Sequence, residues 1–153
     1  YGAAMMTWMM DGQRPESVMA VTQRFQPDNY PKVEDEATIV LTYPETQGII
    51  QASWNWPYPR KDFEIYGTDG YVLAQALRQG DLVARLERKK EAPIELNPAT
   101  PPNTDALSYL RAVAQGTTSP SGMASLSTNK VVVEILQAAR ESARTGKVVR
   151  LKP

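Results

Sequence analysis

Two stretches of alternating side chains joined by a short turn restrict the fold more than any other feature of this sequence. Residues 37–43 and 48–58 place apolar and polar side chains at alternate positions, which is typical of β-strands whose two faces differ. The Pro-Glu-Thr-Gln segment between them is typical of a tight turn. Since a turn this short joins antiparallel neighbours, the two stretches predict a hairpin within a sheet.

The second of these strands raises the question of whether its aromatic row is core or binding surface. Ile50, Ala52, Trp54, Trp56 and Tyr58 would share one face of the strand. Because predicted helices need a sheet surface to cover, we expect Ile50, Ala52 and Trp54 to belong to the core. Trp56 and Tyr58 lie near the strand end, where they can reach a ligand, and for Trp56 the sequence favours neither reading.

The same patterns predict the other elements. Alternation marks strands at 18–25, at 81–89, in two short runs within 62–75 and in a closing segment at 147–151. Apolar spacing of three and four predicts helices at 2–10, 104–115 and 125–145. We therefore expect one α+β domain over residues 1–153, an open, mostly antiparallel sheet of about six strands with helices on one face.

Composition excludes several classes of function. The 153 residues include neither Cys nor His, which excludes thiolate ligands, a cysteine nucleophile and the usual general base. Seventeen basic residues balance seventeen acidic ones, so no overall field attracts nucleic acid or anionic membrane. We expect no metal site and no nucleic-acid or membrane partner. We also expect a cytoplasmic protein, which a signal sequence upstream of Tyr1 would change.

Two short motifs have ordinary explanations. Gly67-Thr68-Asp69-Gly70 superficially resembles a phosphate-binding loop, but the sequence predicts that it leads into another strand rather than into a helix. The acidic run 34–36 lies at a strand entrance without a second acidic cluster nearby in sequence, so a solvated strand start is the favoured interpretation.

Four segments together resemble a known family. In order, they read TWMMDGQRPESVMAV, VEDEATIVLTYPETQGIIQASWNWP, FEIYGTDGYV and SLSTNKVVVEILQAARESARTGKVVRL. They are similar to the C-terminal domain of the glucose-fructose oxidoreductase and inositol dehydrogenase (Gfo/Idh/MocA) family. The resemblance implies a substrate-binding and oligomerisation domain of an enzyme that transfers hydride on a sugar, polyol or related alcohol. NAD or NADP would be bound by an N-terminal Rossmann domain absent from this chain, which alone would be inactive.

The resemblance also implies one catalytic residue. In many members an Asp-x-Gly-x-His segment opens the helix that begins this domain, and its His is the acid or base. The glucose-fructose oxidoreductase type has Tyr there, and Tyr1 matches that position. A free phenol loses its proton near a pH of about 10, so this role needs a neighbouring cation. Ala4 departs from the family pattern, which often has Asp or Asn three positions beyond the acid or base.

Two other functions stay open beside this one. The chain would be a stand-alone carbohydrate-binding module if Trp56 and Tyr58 were exposed for stacking, or a purely structural pairing domain if it associated without a ligand. Pairing is also expected under the family interpretation. The sheet face opposite the helices, which includes Gln51 and Val40, is broad enough to contact a second copy of the chain.

Overall fold

The computed structural model of the chain describes residues 1–58, 60–75, 81–87 and 89–151. They belong to two compact units, one formed by Tyr1–Asn55 with Val113–Pro153 and the other by Trp56–Ala112. In chain order the elements are α1 (Gly2–Met9), β1 (Ser17–Gln23), β2 (Glu36–Thr42), β3 (Gln47–Ser53), β4 (Phe63–Gly67), β5 (Gly70–Gln75), β6 (Asp81–Leu86), β7 (Ala92–Pro93), α2 (Ala106–Ala114), a short 3-10 helix (Gly122–Ala124), α3 (Leu126–Thr145) and β8 (Val149–Arg150).

The strands form two sheets rather than the single expected sheet of about six strands. One sheet has the order β3-β2-β1-β8 and the other the order β4-β5-β6-β7, and all strand pairs among the described residues are antiparallel. The predicted α+β class and the open, antiparallel arrangement are confirmed. The predicted strand 48–58 is too long, because β3 ends at Ser53. Residue 88, within the predicted strand 81–89, lies outside the described residues.

The core of the first unit lies between its sheet and helices α1 and α3. Val18 and Leu41 on the sheet and Ile135 on α3 are fully buried. Helix α3 is bounded as its sequence predicts, since the Ser125 side chain accepts the Thr128 amide and Gly146 ends the helix in the left-handed conformation. The buried apolar residues of this core are Ala3, Val18, Ala20, Ile39, Leu41, Tyr43, Val131, Val132, Ile135, Ala138 and Ala139.

The opposite face of the first sheet is open to solvent. The register places Met19 opposite Val40 and Val40 opposite Ile49, so these three share a face, and Val21 lies on it two residues beyond Met19. Met19, Val21 and Ile49 are exposed, and Ile49 retains 68% of its accessible surface. We call these four residues the open face.

The predicted core position of Trp54 is wrong. Ile50 is partly buried against the core, as expected, but Ala52 is exposed and Trp54 is 60% exposed. The physical reason is that the chain leaves the strand before Trp54. The Trp54 amide makes one last backbone bond, to the Asp35 carbonyl at 2.9 Å, and the next amide, that of Asn55, donates instead to the Ser53 hydroxyl at 2.9 Å.

Candidate functional site

A buried carboxylate organises the chain around the end of β3. Asp35 is 3% exposed, and its two carboxylate oxygens accept the amides of Phe25 at 2.9 Å and of Gln26 at 2.7 Å. The Asn55 side-chain amide approaches the same carboxylate at 3.2 Å, and the Gln26 side chain in turn donates to Asn55 at 2.7 Å. We call Asp35, Gln26 and Asn55, with these hydrogen bonds, the Asp35 clamp.

The environment of Asp35 favours its ionised form. Burial by itself favours the neutral acid, but the hydrogen bonds from the Phe25 and Gln26 amides and from Asn55 outweigh it and hold the pKa of Asp35 below its ordinary value. The backbone of Asp35 also takes part, since its carbonyl oxygen accepts the Trp54 amide at 2.9 Å. One residue thereby fixes the loop after β1 and the segment after β3.

An aromatic pair, half-buried Tyr30 and exposed Trp54, is held by this clamp. The rings of Tyr30 and Trp54 lie 4.9 Å apart between centroids at an angle of 51°, a tilted contact of the kind that aromatic pairs prefer. Tyr30 belongs to the loop that Asp35 fixes, and Trp54 donates its amide to Asp35. We call Tyr30 and Trp54 the aromatic ledge. Its position is set by buried hydrogen bonds while the Trp54 ring stays largely open to solvent.

Tyr1 precedes the end of α1 that lies nearer to the aromatic ledge. It is fully exposed and precedes helix α1. A Cβ on Gly2 would overlap the Ile50 side chain, whereas one on Gly48 would meet the side chain of Met6, so α1 runs along β3 from Ile50 towards Gly48. The start of α1 is therefore the end nearer to Trp54, which lies four residues, or roughly 13 Å of extended chain, beyond Ile50.

The structure explains why Ala4 stands where the resembled family often has Asp or Asn. Ala4 is half-buried and packs against the hydrophobic core of the first unit. A polar side chain at this position would therefore be placed against apolar neighbours, which is costly without a hydrogen-bond partner.

Trp56 and Tyr58 belong to the second unit, whereas Tyr1 belongs to the first. The guanidinium carbon of Arg60 lies 5.1 Å from the centroid of the Trp56 ring, a cation–π contact, and Arg60 also bonds Asp62 at 2.8 Å. Trp56 is half-buried, while Tyr58 is 73% exposed. Of the two, Tyr58 has the side chain more accessible to a ligand.

The turn from Gly67 to Gly70 does not fit a dinucleotide. It connects β4 to β5, two paired strands, whereas a pyrophosphate site needs the start of a helix after the turn. A Cβ on Gly70 would overlap the carbonyl oxygen of Arg85, so this glycine permits close approach of β5 and β6. In the described part of the chain, no group of three or more acidic residues could hold a metal ion, and no helix has the length and apolar character needed to cross a membrane.

The sequence analysis did not identify Tyr30, Asp35 or Asn55 as site residues. Asp35 lies in the acidic run that was interpreted as a solvated strand start, and it is the buried member of that run. A usable signal was the loop between β1 and β2, which has twelve residues without regular structure, since a loop of that length in a compact unit needs an internal anchor.

Comparison with known proteins shows which family the first half of the chain is similar to. Residues 1–73 match the model of the GFO/IDH/MocA C-terminal domain. The family resemblance is confirmed. The match covers α1, the first three strands of the first sheet, the Asp35 clamp and the ledge, so these features lie within the part of the chain whose sequence is characteristic of that domain.

Solved structures extend the likeness of fold to nearly the whole chain. An aldose-aldose oxidoreductase from Caulobacter crescentus, complexed with glycerol, is 20% identical with a TM-score of 0.74 over 98% of this chain and 46% of its own. GenD2 from gentamicin A biosynthesis, in complex with NAD, is 20% identical with a TM-score of 0.70 over 98% of this chain and 45% of its own.

An oxidoreductase from Agrobacterium radiobacter, in complex with NAD+, L-tartaric acid and magnesium, is 25% identical with a TM-score of 0.62 over 90% of this chain and 43% of its own. The chain thus spans less than half the length of these three proteins. A comparison with curated proteins gave no match.

Proposed function

We propose that this chain is the substrate-binding and oligomerisation domain of an NAD(P)-dependent oxidoreductase that acts on a sugar, polyol or related alcohol. The observation that carries the proposal is the aromatic ledge, in which the exposed Trp54 ring packs on the half-buried Tyr30 ring and both are fixed by the Asp35 clamp just after β3. A ring surface that stacks on the C–H face of a sugar and a phenol that exchanges a proton are the two functions that a substrate half-site needs.

In this proposal Tyr1 moves the proton of the reacting hydroxyl through its own phenolic oxygen, and the ledge orients the substrate. Trp56 and Tyr58 stay candidates for further pocket residues, with Tyr58 the more exposed. In this proposal the redox step belongs to NAD or NADP bound by a Rossmann domain outside this chain, and the turn at Gly67 to Gly70 takes no part, since it does not fit a pyrophosphate. The nucleotides in the GenD2 and Agrobacterium structures and the aldose activity named for the Caulobacter protein support these assignments.

We further propose that the chain forms a homodimer through the open face. Exposed Met19, Val21 and Ile49 beside Val40 make an apolar surface on a flat sheet, and a standard interface would bury about 800 Å² of it and its surroundings per partner. Val40→Lys and Ile49→Lys should each shift the chain towards monomer in sedimentation velocity. Val133→Lys changes an exposed apolar residue on α3 instead and is the control. A monomeric parent chain, or a dimer indifferent to both sheet substitutions, would contradict the interface.

The enzymatic proposal is tested with the longer gene product. The purified protein is titrated with NAD+ and NADP+ and assayed against aldoses, polyols and hydroxy acids. Tyr1→Phe should lower kcat by about 100-fold or more because it removes the proton acceptor. Trp54→Ala should mainly raise KM, because it removes a contact made in the bound substrate as well as in the transition state. Trp8→Phe, on α1 but outside the proposed site, is the control.

Two results would overturn this function. The first is a longer product that binds neither nucleotide. The second is an active enzyme in which Tyr1→Phe leaves kcat unchanged. Saturable sugar binding by the present chain that is lost in Tyr58→Ala, without nucleotide binding by the longer product, would favour the carbohydrate-binding module instead.

A further inference from the structure

The second sheet carries a pair of tyrosines on one of its faces. Tyr66 on β4 lies directly opposite Tyr71 on β5, with ring centroids 5.9 Å apart at an angle of 47°. Tyr66 is 69% exposed. The next strand places Arg85 opposite Tyr71, so the two phenols and the guanidinium form a row across three strands.

Both phenols are held by carboxylates. The Tyr66 hydroxyl donates to Glu64 and the Tyr71 hydroxyl donates to Glu91, each at 2.8 Å. These hydrogen bonds raise the pKa of both tyrosines, because a carboxylate acceptor favours the protonated phenol. Each carboxylate can accept further hydrogen bonds, because an ionised carboxylate has about four acceptor positions.

The tyrosine pair borders an open cleft of about 620 Å³. Its walls are Tyr66, Tyr71, the intervening turn and the side chains of Arg85 and Glu87. This volume is within the range of about 300–1,000 Å³ that is usual for small-molecule sites. The opposite face of the same strands carries Val72 and the buried Ala84, so the tyrosines are not needed to cover that apolar side.

We propose that this cleft, the tyrosine cleft, binds a neutral saccharide. An exposed aromatic ring offers its face to the C–H groups of a sugar, and carboxylates and a guanidinium flanking the ring match the donor and acceptor pattern of sugar hydroxyls. Glu64, Glu91 and Asp69 disfavour an anion, and Arg85 offsets part of their attraction for a cation. Glu87 and Lys89 pair with each other at 2.7 Å and add no net charge.

The tyrosine cleft uses none of the residues assigned to the proposed substrate site. Tyr1 and the ledge belong to the first unit, whereas all lining residues of the cleft belong to the second. Sugar binding in the cleft requires neither nucleotide nor turnover. The proposal therefore stands or fails independently of the oxidoreductase function.

The test is a titration of the 153-residue chain followed by amide NMR shifts. The neutral probes are cellobiose, maltose and methyl glucoside, and the charged probes are glucuronate and tetramethylammonium. We expect saturable shifts at residues 66–71 and 85–87 with a neutral sugar, with a dissociation constant of about millimolar order for so open a cleft. Tyr66→Ala and Tyr71→Ala should each weaken binding by about tenfold, the effect of losing one ring contact.

Matched variants separate this site from the others. Tyr66→Phe keeps the ring and should retain most of the binding. Tyr58→Ala and Trp54→Ala remove exposed rings outside the cleft and should leave the sugar-induced shifts at residues 66–71 and 85–87 unchanged. Because Tyr66 is exposed, its replacement by Ala should preserve the dispersed amide spectrum, which is checked before titration. Absence of saturable shifts up to about 50 mM sugar, binding of tetramethylammonium alone, or equal binding by Tyr66→Ala and the parent chain would each overturn the proposal.

Discussion

Replacing Trp54 by Ala measures directly how much of this ring the fold covers. A fully buried tryptophan covers up to about 250 Å². Since Trp54 is 60% exposed, about two fifths of that area, or about 100 Å², is covered. At about 25 cal/mol per Å² this corresponds to an upper limit of about 2.5 kcal/mol, and a compact unfolded state lowers it. We expect Trp54→Ala to reduce the free energy of unfolding by about 1–2 kcal/mol, against about 3–5 kcal/mol for a core tryptophan.

The comparison variant is Leu41→Ala on the neighbouring strand. Leu41 is fully buried, and its truncation should cost about 2–5 kcal/mol, more than Trp54→Ala although the side chain removed is smaller. Urea melts give both values. A variant carrying Trp8→Phe and Trp56→Phe leaves Trp54 as the sole tryptophan. Its emission, excited at a wavelength that tyrosine does not absorb, should be strongly quenched by acrylamide in the folded state. A loss above about 3 kcal/mol for Trp54→Ala, or a protected emission, would show that the ring is core.

Further predictions concern the clamp, the sheet edge and the second unit. The lowered pKa of Asp35 contributes stability that is present above the unfolded value of about 3.9 and is lost as the pH falls through the folded value. In urea melts at several pH values, Asp35→Asn should therefore reduce the fall in the free energy of unfolding as the pH is lowered. An unchanged pH dependence would contradict the clamp. Ser142→Ala removes the buried acceptor of a β1 amide at 2.9 Å and should cost about 1–3 kcal/mol, so equal melts would count against that bond. Gly70→Ala should lower the melting temperature by overlap with the Arg85 carbonyl, while Gly67→Ala, whose Cβ has room, is the tolerated control.

Local patterns were sufficient for much of the fold. The hairpin of β2 and β3 has the predicted antiparallel pairing, because each strand alternates and the connecting turn is short. Helix α3 begins after Ser125 and ends at Gly146, because its caps are adjacent in sequence to the groups that they satisfy. What these features share is that cause and consequence lie within a few residues of each other.

The features that the sequence did not disclose depend on residues far apart in the chain. The alternation of apolar and polar residues continues beyond Ser53, so pattern alone extends the strand through Trp54. The chain instead turns at Asn55, whose amide bonds Ser53 and whose side chain bonds the Asp35 carboxylate, twenty residues earlier. The tyrosine pair likewise depends on the register of β4 with β5 and on a carboxylate twenty residues after Tyr71.

One buried carboxylate thus links the end of two strands to the exposure of an aromatic ring. Asp35 takes the amides that follow β1, which ends that strand at Gln23, and its carbonyl takes the amide of Trp54 just after β3 ends. A buried carboxylate is stable only when such donors surround it, so the loop and the segment after β3 are fixed together. Because Trp54 is anchored through its backbone, its ring is free to contact Tyr30 and solvent. The ring is thus held in place without being buried, which a preformed ligand-contacting surface requires.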